Sequence, residues 1–150
     1  MQFLRSEKID INKDNTINEL DILSLTKLDA INLYKKYWWN KYRFKEINSF
    51  ALSGKYLDSS ILFGMSQATL LLQKTLNKLI VPHIDEDGIL GSETINAINF
   101  AIISFGEEKI IKAYNKECNL FIDDLLRKNI HLSVFEHGWQ KRINYGWEDT

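Results

Sequence analysis

The sequence predicts an all-α protein folded as a compact helical bundle. Three observations carry that expectation. Apolar residues recur at helical spacing through most of the chain, no stretch alternates apolar and polar residues over a useful strand length, and a single Pro with seven Gly leaves few breaks. At 150 residues the chain is one domain by length, and such a domain buries roughly 70% of its unfolded surface. Hydrophobic residues make up 45% and charged residues 26%, an ordinary soluble balance. A formal net charge of −1 gives no electrostatic reason to expect nucleic acid or an anionic membrane as partner. Cys118 stands alone, so no intrachain disulfide is expected. No apolar run approaches the length of a membrane span, and the opening "MQFLRSEKID" lacks the apolar core of a signal peptide. The expectation is a chain made in the cytoplasm, which reaches any other compartment by a separate route.

The first element is the polar stretch "DINKDNTINELD". As a twelve-residue calcium loop it places Asp10, Asn12 and Asp14 at positions one, three and five, the Thr16 carbonyl at seven and Asp21 at twelve. Asn15 stands where such a loop wants Gly, and Asn tolerates a left-handed backbone better than most residues. With Asn18 at position nine the stretch resembles a single dockerin-type loop. The other reading is a turn in which Asp and Asn bond their own backbone and cap the next helix. Calcium, if bound, is structural, and no cofactor is required.

"TKLDAINLYKKYWW" opens with Thr26 and Asp29 at capping-box spacing and carries Leu28, Ile31, Tyr34, Tyr37 and Trp38 along one face. Successive helical residues point about 100° apart, which sends Trp38 to the core and leaves Trp39 partly exposed, a candidate platform for a sugar. "SFALSGKYLDSSILFG" reads as a strongly apolar helix ending near Gly64, in which Asp58 is a candidate cleft carboxylate. Ser66 is expected to cap "QATLLLQKTLNKLI", which Pro82 stops. Ser92 starts "ETINAINFAII", and Gly106 separates it from a long helix beginning at Glu107 and Glu108 and ending at Arg127 and Lys128, as the helix dipole favours. In the tail, Trp139 is expected to pack onto the bundle and Arg142 to pair with an acid or a helix carbonyl. Cys118, with Tyr114 and Phe121, reads as core.

The most informative combination is "LLLQKTLNKL" followed by "DEDGILGSETINAI". Gln73 sits on one helix, Asp87 and Gly88 make the turn, Leu90 fills the core, Gly91 allows a close helix start and Thr94 enters the next helix. By physics alone this is either a helix–turn–helix scaffold or a ligand surface built on one. The order Gln…Leu…Asp-Gly-x-x-Gly-x-x-Thr resembles the peptidoglycan-binding module of many wall hydrolases. Taken with "LDILSLTKLDAINLYKKYWW", "YLDSSILFG" and "HGWQKR", it makes residues 20 to 147 similar to the phage-type N-acetylmuramidases of glycoside hydrolase family 108, also called secretion activator proteins.

That resemblance implies a lysozyme-like fold, N-terminally truncated relative to the family. It divides a single domain, 1–150, into a variable segment 1–21, core helices 22–65 and a peptidoglycan-binding-like half 66–150. It implies a substrate surface at Trp39, Gln73, Asp87, Gly88, Gly91 and Thr94. The family's catalytic Glu-Gly-Gly does not occur, Glu7 is the carboxylate at a comparable place, and the Asp-x-x-x-Asn-x-Gly stretch appears as Asp58 to Gly64 with Leu62 in place of Asn. Hydrolysing a glycosidic bond needs a protonated carboxyl and a second carboxylate or a held water. The resemblance therefore implies a peptidoglycan-associated, endolysin-related protein of phage or prophage descent, with weak or no glycosidase activity. The alternative is a wall-binding or protein-interaction module without enzymatic activity. Either acts on peptidoglycan glycan at the cell wall, after export or release by lysis.

Overall fold

The computed structural model describes residues 2–145, which leaves Trp147 of the tail outside the described residues. All regular structure among them is helical. None of these helices is long and apolar enough to cross a membrane. The chain divides into two compact units, Met1–Lys41 and Tyr42–Thr150. The divisions drawn from sequence at residues 21 and 65 follow the order of motifs, whereas the compact boundary lies between Lys41 and Tyr42.

The first unit holds α1 (Gln2–Ser6), α2 (Glu19–Ser24) and α3 (Lys27–Tyr34). Asn18 caps α2 in a reciprocal box with Asp21, and Thr26 caps α3 in the expected box with Asp29. From Lys35 to Trp39 the chain runs on as a π-helical turn, closed by the Asn40 amide donating to the Lys35 carbonyl at 2.8 Å. That widening breaks the 3.6-residue register and corrects the expected stripe. Its C-terminal end is packed: Phe3 meets Tyr37 edge-on at 5.1 Å and Trp38 at 4.9 Å. Its N-terminal end is not, since Leu28 is 65% and Ile31 50% exposed. Trp38, expected in the core, is half-buried, as is Trp39.

The second unit is built around α7 (Glu107–Lys128), whose acidic first turn and basic last turn are those expected. Packed on it are α4 (Phe50–Phe63), α5 (Met65–Asn77), α6 (Ser92–Phe105) and α8 (Glu136–Asn144). Phe44, Leu52, Tyr56, Leu72, Leu76, Ile98, Ile110, Tyr114, Cys118 and Ile122 are fully buried. Tyr56 shares a 2.5 Å hydrogen bond with Thr69, and the Tyr114 hydroxyl donates to the Ala68 carbonyl at 3.1 Å, so each buried phenol has a partner. Burial pushes the Cys118 thiol up to about 12, which leaves it an inert core residue.

Two local expectations are corrected. Ser66 does not cap α5; that helix starts at Met65 after Gly64, and Ser66 lies in its first turn. Helix α4 is less apolar inside than expected, with Ser53, Lys55, Ser59 and Ser60 all buried. The serines donate to carbonyls of their own or the preceding turn: Ser53 to Ser49 at 2.7 Å, Ser59 to Lys55 at 2.9 Å and Ser60 to Leu57 at 2.7 Å.

Candidate functional site

Helix α5 presents Gln73 to the loop that leads into α6, and the side chain organises that loop. Gln73 is fully buried. Its Nε2 donates to Asp87 Oδ1 at 2.8 Å, to Thr94 Oγ1 at 3.0 Å and to the Ile89 carbonyl at 3.3 Å. Its Oε1 accepts from the Gly88 amide at 2.8 Å. Asp87 Oδ1 also takes the Ile89 amide at 2.8 Å, and the Thr94 hydroxyl donates to the Ile89 carbonyl at 3.2 Å. The Gln73 amide, followed by the Ile89 amide, holds the Asp87 carboxyl below its ordinary range.

Gly88 is required where it stands. Its φ is +71°, and a Cβ there would lie 2.6 Å from Ser66 Oγ and 2.8 Å from the Ser66 carbonyl oxygen. Gly91 is not held in this way, because a Cβ at that position meets nothing within 4 Å. Leu90, expected as a core residue, is half-buried. Of the four residues in the hydrogen-bonded hub, Gln73, Gly88 and Thr94 turn inward and Asp87 remains exposed. The hub shapes a surface from beneath, and its polar atoms are already bonded to one another.

The sequence of the family described as "Predicted Peptidoglycan domain" matches residues 67–144, just over half of the 150. This chain belongs to that family. The match begins in α5, takes in the Gln73–Thr94 hub and ends with α8. In overall fold the chain is similar to the solved structure of SagA from Brucella abortus, with a TM-score of 0.63 and 24% identity. The likeness covers 85% of this chain and 64% of that one, so the chain spans less than two thirds of that protein's length. No curated protein matches it.

The Predicted Peptidoglycan domain region contains Gln73, Asp87, Gly88, Gly91 and Thr94, and brings them together in the second unit. Asp58, Glu7 and Trp39, the other candidate residues singled out from sequence, lie outside it. Asp58, on α4, lines a cleft of about 310 Å³ with Gly138, Lys141, Arg142 and Tyr145. Its Oδ1 accepts from Arg142 Nε at 2.7 Å and Nη2 at 2.6 Å, the acid partner expected for Arg142. Trp139 stacks on Phe135 at 5.6 Å. Glu7 is exposed just beyond the five-residue α1, in the first unit. Trp39 lies in the π-helical turn of that same unit.

The loop of the first unit takes the conformation of a closed Asx turn. Asp10 accepts from the Lys13 and Asn15 amides at 2.7 Å each, Asp14 accepts from the Thr16 amide at 2.8 Å and from Asn12 Nδ2 at 2.9 Å, and the Asn12 side-chain oxygen accepts from the Asp14 amide at 3.1 Å. Asp21 is fully buried and takes the Ile11 amide at 2.7 Å and the Asn18 amide at 2.8 Å. The Asn18 amide foremost, against the opposing effect of burial, lowers the Asp21 carboxyl from its ordinary 3.8. Asn15 has the left-handed backbone wanted at position six (φ 65°), but Lys13 has it as well (φ 59°). Among the described residues no three His, Cys, Asp or Glu side chains converge as a metal site. The donor set as placed serves the backbone of the loop.

Two polar features escaped the sequence. Lys55, within an apolar helix, is buried and donates from Nζ to the Tyr145 carbonyl at 2.9 Å and the Arg142 carbonyl at 3.4 Å. Its one sequence signal is a cation flanked by Leu52 and Tyr56 on a buried face. Asn115 and Asn119 on α7 look like an ordinary solvated face in sequence, yet both side-chain oxygens are buried with no hydrogen-bond partner among the described residues.

Proposed function

We propose that this chain recognises peptidoglycan through its second unit, as a muramidase-related module with weak or no glycosidase activity. The family match over α5 to α8, with the Gln73 hub at its centre, carries the recognition half of that reading. The weak-hydrolysis half is supported by the two candidate carboxylates. Asp58 is bound by the Arg142 guanidinium, and Glu7 is an exposed residue beyond a single short helical turn. A general acid in glycoside hydrolysis works from an apolar pocket beside a second carboxylate, and neither residue has those surroundings.

The test is sedimentation with purified sacculi alongside a zymogram on the same material. Wild type is expected to sediment and to release little soluble muropeptide. Robust clearing by wild type that is lost in Glu7→Gln overturns the weak-hydrolysis half. Failure of wild type to sediment overturns the recognition half.

A further inference from the structure

Helix α8 carries a glycine where its fold gives no reason for one. Gly138 lies in the first turn of α8 without a left-handed backbone, and a Cβ there would meet nothing within 4 Å. Glycine is the poorest helix former after proline, so neither packing nor backbone geometry accounts for it. What the missing side chain leaves open is the cleft of about 310 Å³ between α4 and α8. Gly138, Lys141 and Arg142 share one face of α8 at spacings of three and four residues, and Tyr145 follows at its end. That face is fastened to α4: Lys55 Nζ donates to the Tyr145 carbonyl at 2.9 Å, and Arg142 Nε donates to Asp58 Oδ1 at 2.7 Å. Both walls of the cleft are thus tied to each other.

We propose that this cleft holds one N-acetylhexosamine residue of the glycan strand, an inference that rests on the recognition reading above. Its volume stands at the lower end of the range for ligand pockets, roughly 300–1,000 Å³, which suits a single pyranose ring better than a longer saccharide. The polar groups around it differ in kind. Asp58 gives Oδ1 to Arg142, and its Oδ2 accepts no hydrogen bond among the described residues. Lys141 enters no ion pair among them. A sugar hydroxyl both donates and accepts, so one ring can donate to the carboxylate oxygen and accept from the ammonium. The Tyr145 ring is 56% exposed and lines the same cleft, and such a ring stacks on the apolar face of a pyranose. A carboxylate of the stem peptide fits less well. It would meet the like charge of Asp58, and the Arg142 guanidinium is already bound to that acid.

The experiment titrates the chain with tetra-N-acetylchitotetraose and, separately, with the synthetic peptide L-Ala-γ-D-Glu-diaminopimelate, following backbone amide shifts and binding heat. The oligosaccharide is expected to shift amides at residues 55–58 and 138–145. Gly138→Leu and Tyr145→Ala are each expected to weaken its binding at least about tenfold. Leu at 138 enters the open space of the cleft and favours a helix more than Gly does, so this variant is expected to melt no lower than wild type. Tyr145→Ala removes the ring and keeps the carbonyl that Lys55 holds. Wild-type affinity for the oligosaccharide in either variant overturns the proposal, as does a response at these residues to the peptide but not to the oligosaccharide. Sedimentation with sacculi separates the cleft from the reading beneath it. Wild type that sediments without any cleft response to the oligosaccharide overturns the cleft and leaves the recognition reading standing. Wild type that does not sediment overturns both.

Discussion

Replacing Gln73 with Leu tests whether the hub holds the α5–α6 loop. Leu occupies a similar volume but removes the donor to Asp87, Thr94 and Ile89 and the acceptor for Gly88. The consequences differ by partner. Asp87 is exposed and regains water, so its loss costs little. Thr94 keeps its bond to the Ile89 carbonyl at 3.2 Å. The Gly88 amide is different, because the residue is buried and Ser66 packs against it. An unpaired buried donor costs about 1–3 kcal/mol, and the other lost bonds add about 1 kcal/mol net. A loss of about 3 kcal/mol lowers the melting temperature by roughly 6–12 °C in a chain of this size. Urea unfolding reads the free energy and a thermal melt the temperature, both followed by circular dichroism at 222 nm. A change below about 1 kcal/mol would refute the reasoning, because it would mean that the loop holds its shape without Gln73.

Three further outcomes are expected. Gly88→Ala should destabilise by at least about 1–3 kcal/mol, from the positive φ and the contact with the Ser66 backbone, while Gly91→Ala stays near neutral; paired thermal melts decide. In the first unit, Asp10→Ala should lower the melting temperature even in chelator, because two backbone amides lose their acceptor; a calcium-dependent rise in wild type, about 2.7 kcal/mol at a hundredfold excess over the dissociation constant and absent in the variant, is the signature of a bound ion. Burial lowers the Lys55 amine from its ordinary 10.5, against the opposing pull of Asp58, so the native state sheds that proton before the unfolded chain does. Wild type should therefore gain stability as pH rises toward 10.5, and Lys55→Met should lose that alkaline gain in chemical unfolding followed against pH.

The parts legible in sequence are those fixed by local rules. The Thr26–Asp29 box, the acidic start and basic end of α7 and the Gly-bounded junctions around residues 64 and 106 all depend on a few neighbours in sequence. The Gln73-to-Thr94 combination was also legible, because its residues fall in a fixed order across one hairpin. What it does there was not: only the coordinates show the polar atoms turned inward on one another. The π-helical turn at "KKYWW" escaped because apolar periodicity assumes a constant pitch. The burial of Lys55 escaped because its partners, the carbonyls of Arg142 and Tyr145, are far away in sequence. Asn115 and Asn119 escaped for a related reason, since a missing hydrogen bond leaves no mark on sequence.

The two polar residues of α4 that face the tail fasten it to the bundle. Lys55 donates to the last carbonyls of the α8 segment, where a helix leaves its C=O groups unpaired and its dipole favours a cation. One turn along, Asp58 takes the Arg142 side chain from the same segment. Backbone and side chain of the tail are thus both fastened to α4, and Ile143 between these contacts is fully buried. The ion pair is partly exposed and contributes at most about 1 kcal/mol, whereas the Ile143 side chain contributes about 1.5–3 kcal/mol by leaving water. Cohesion therefore rests on burial, and the charges set register. Asp58 is thereby committed to fastening the tail to α4.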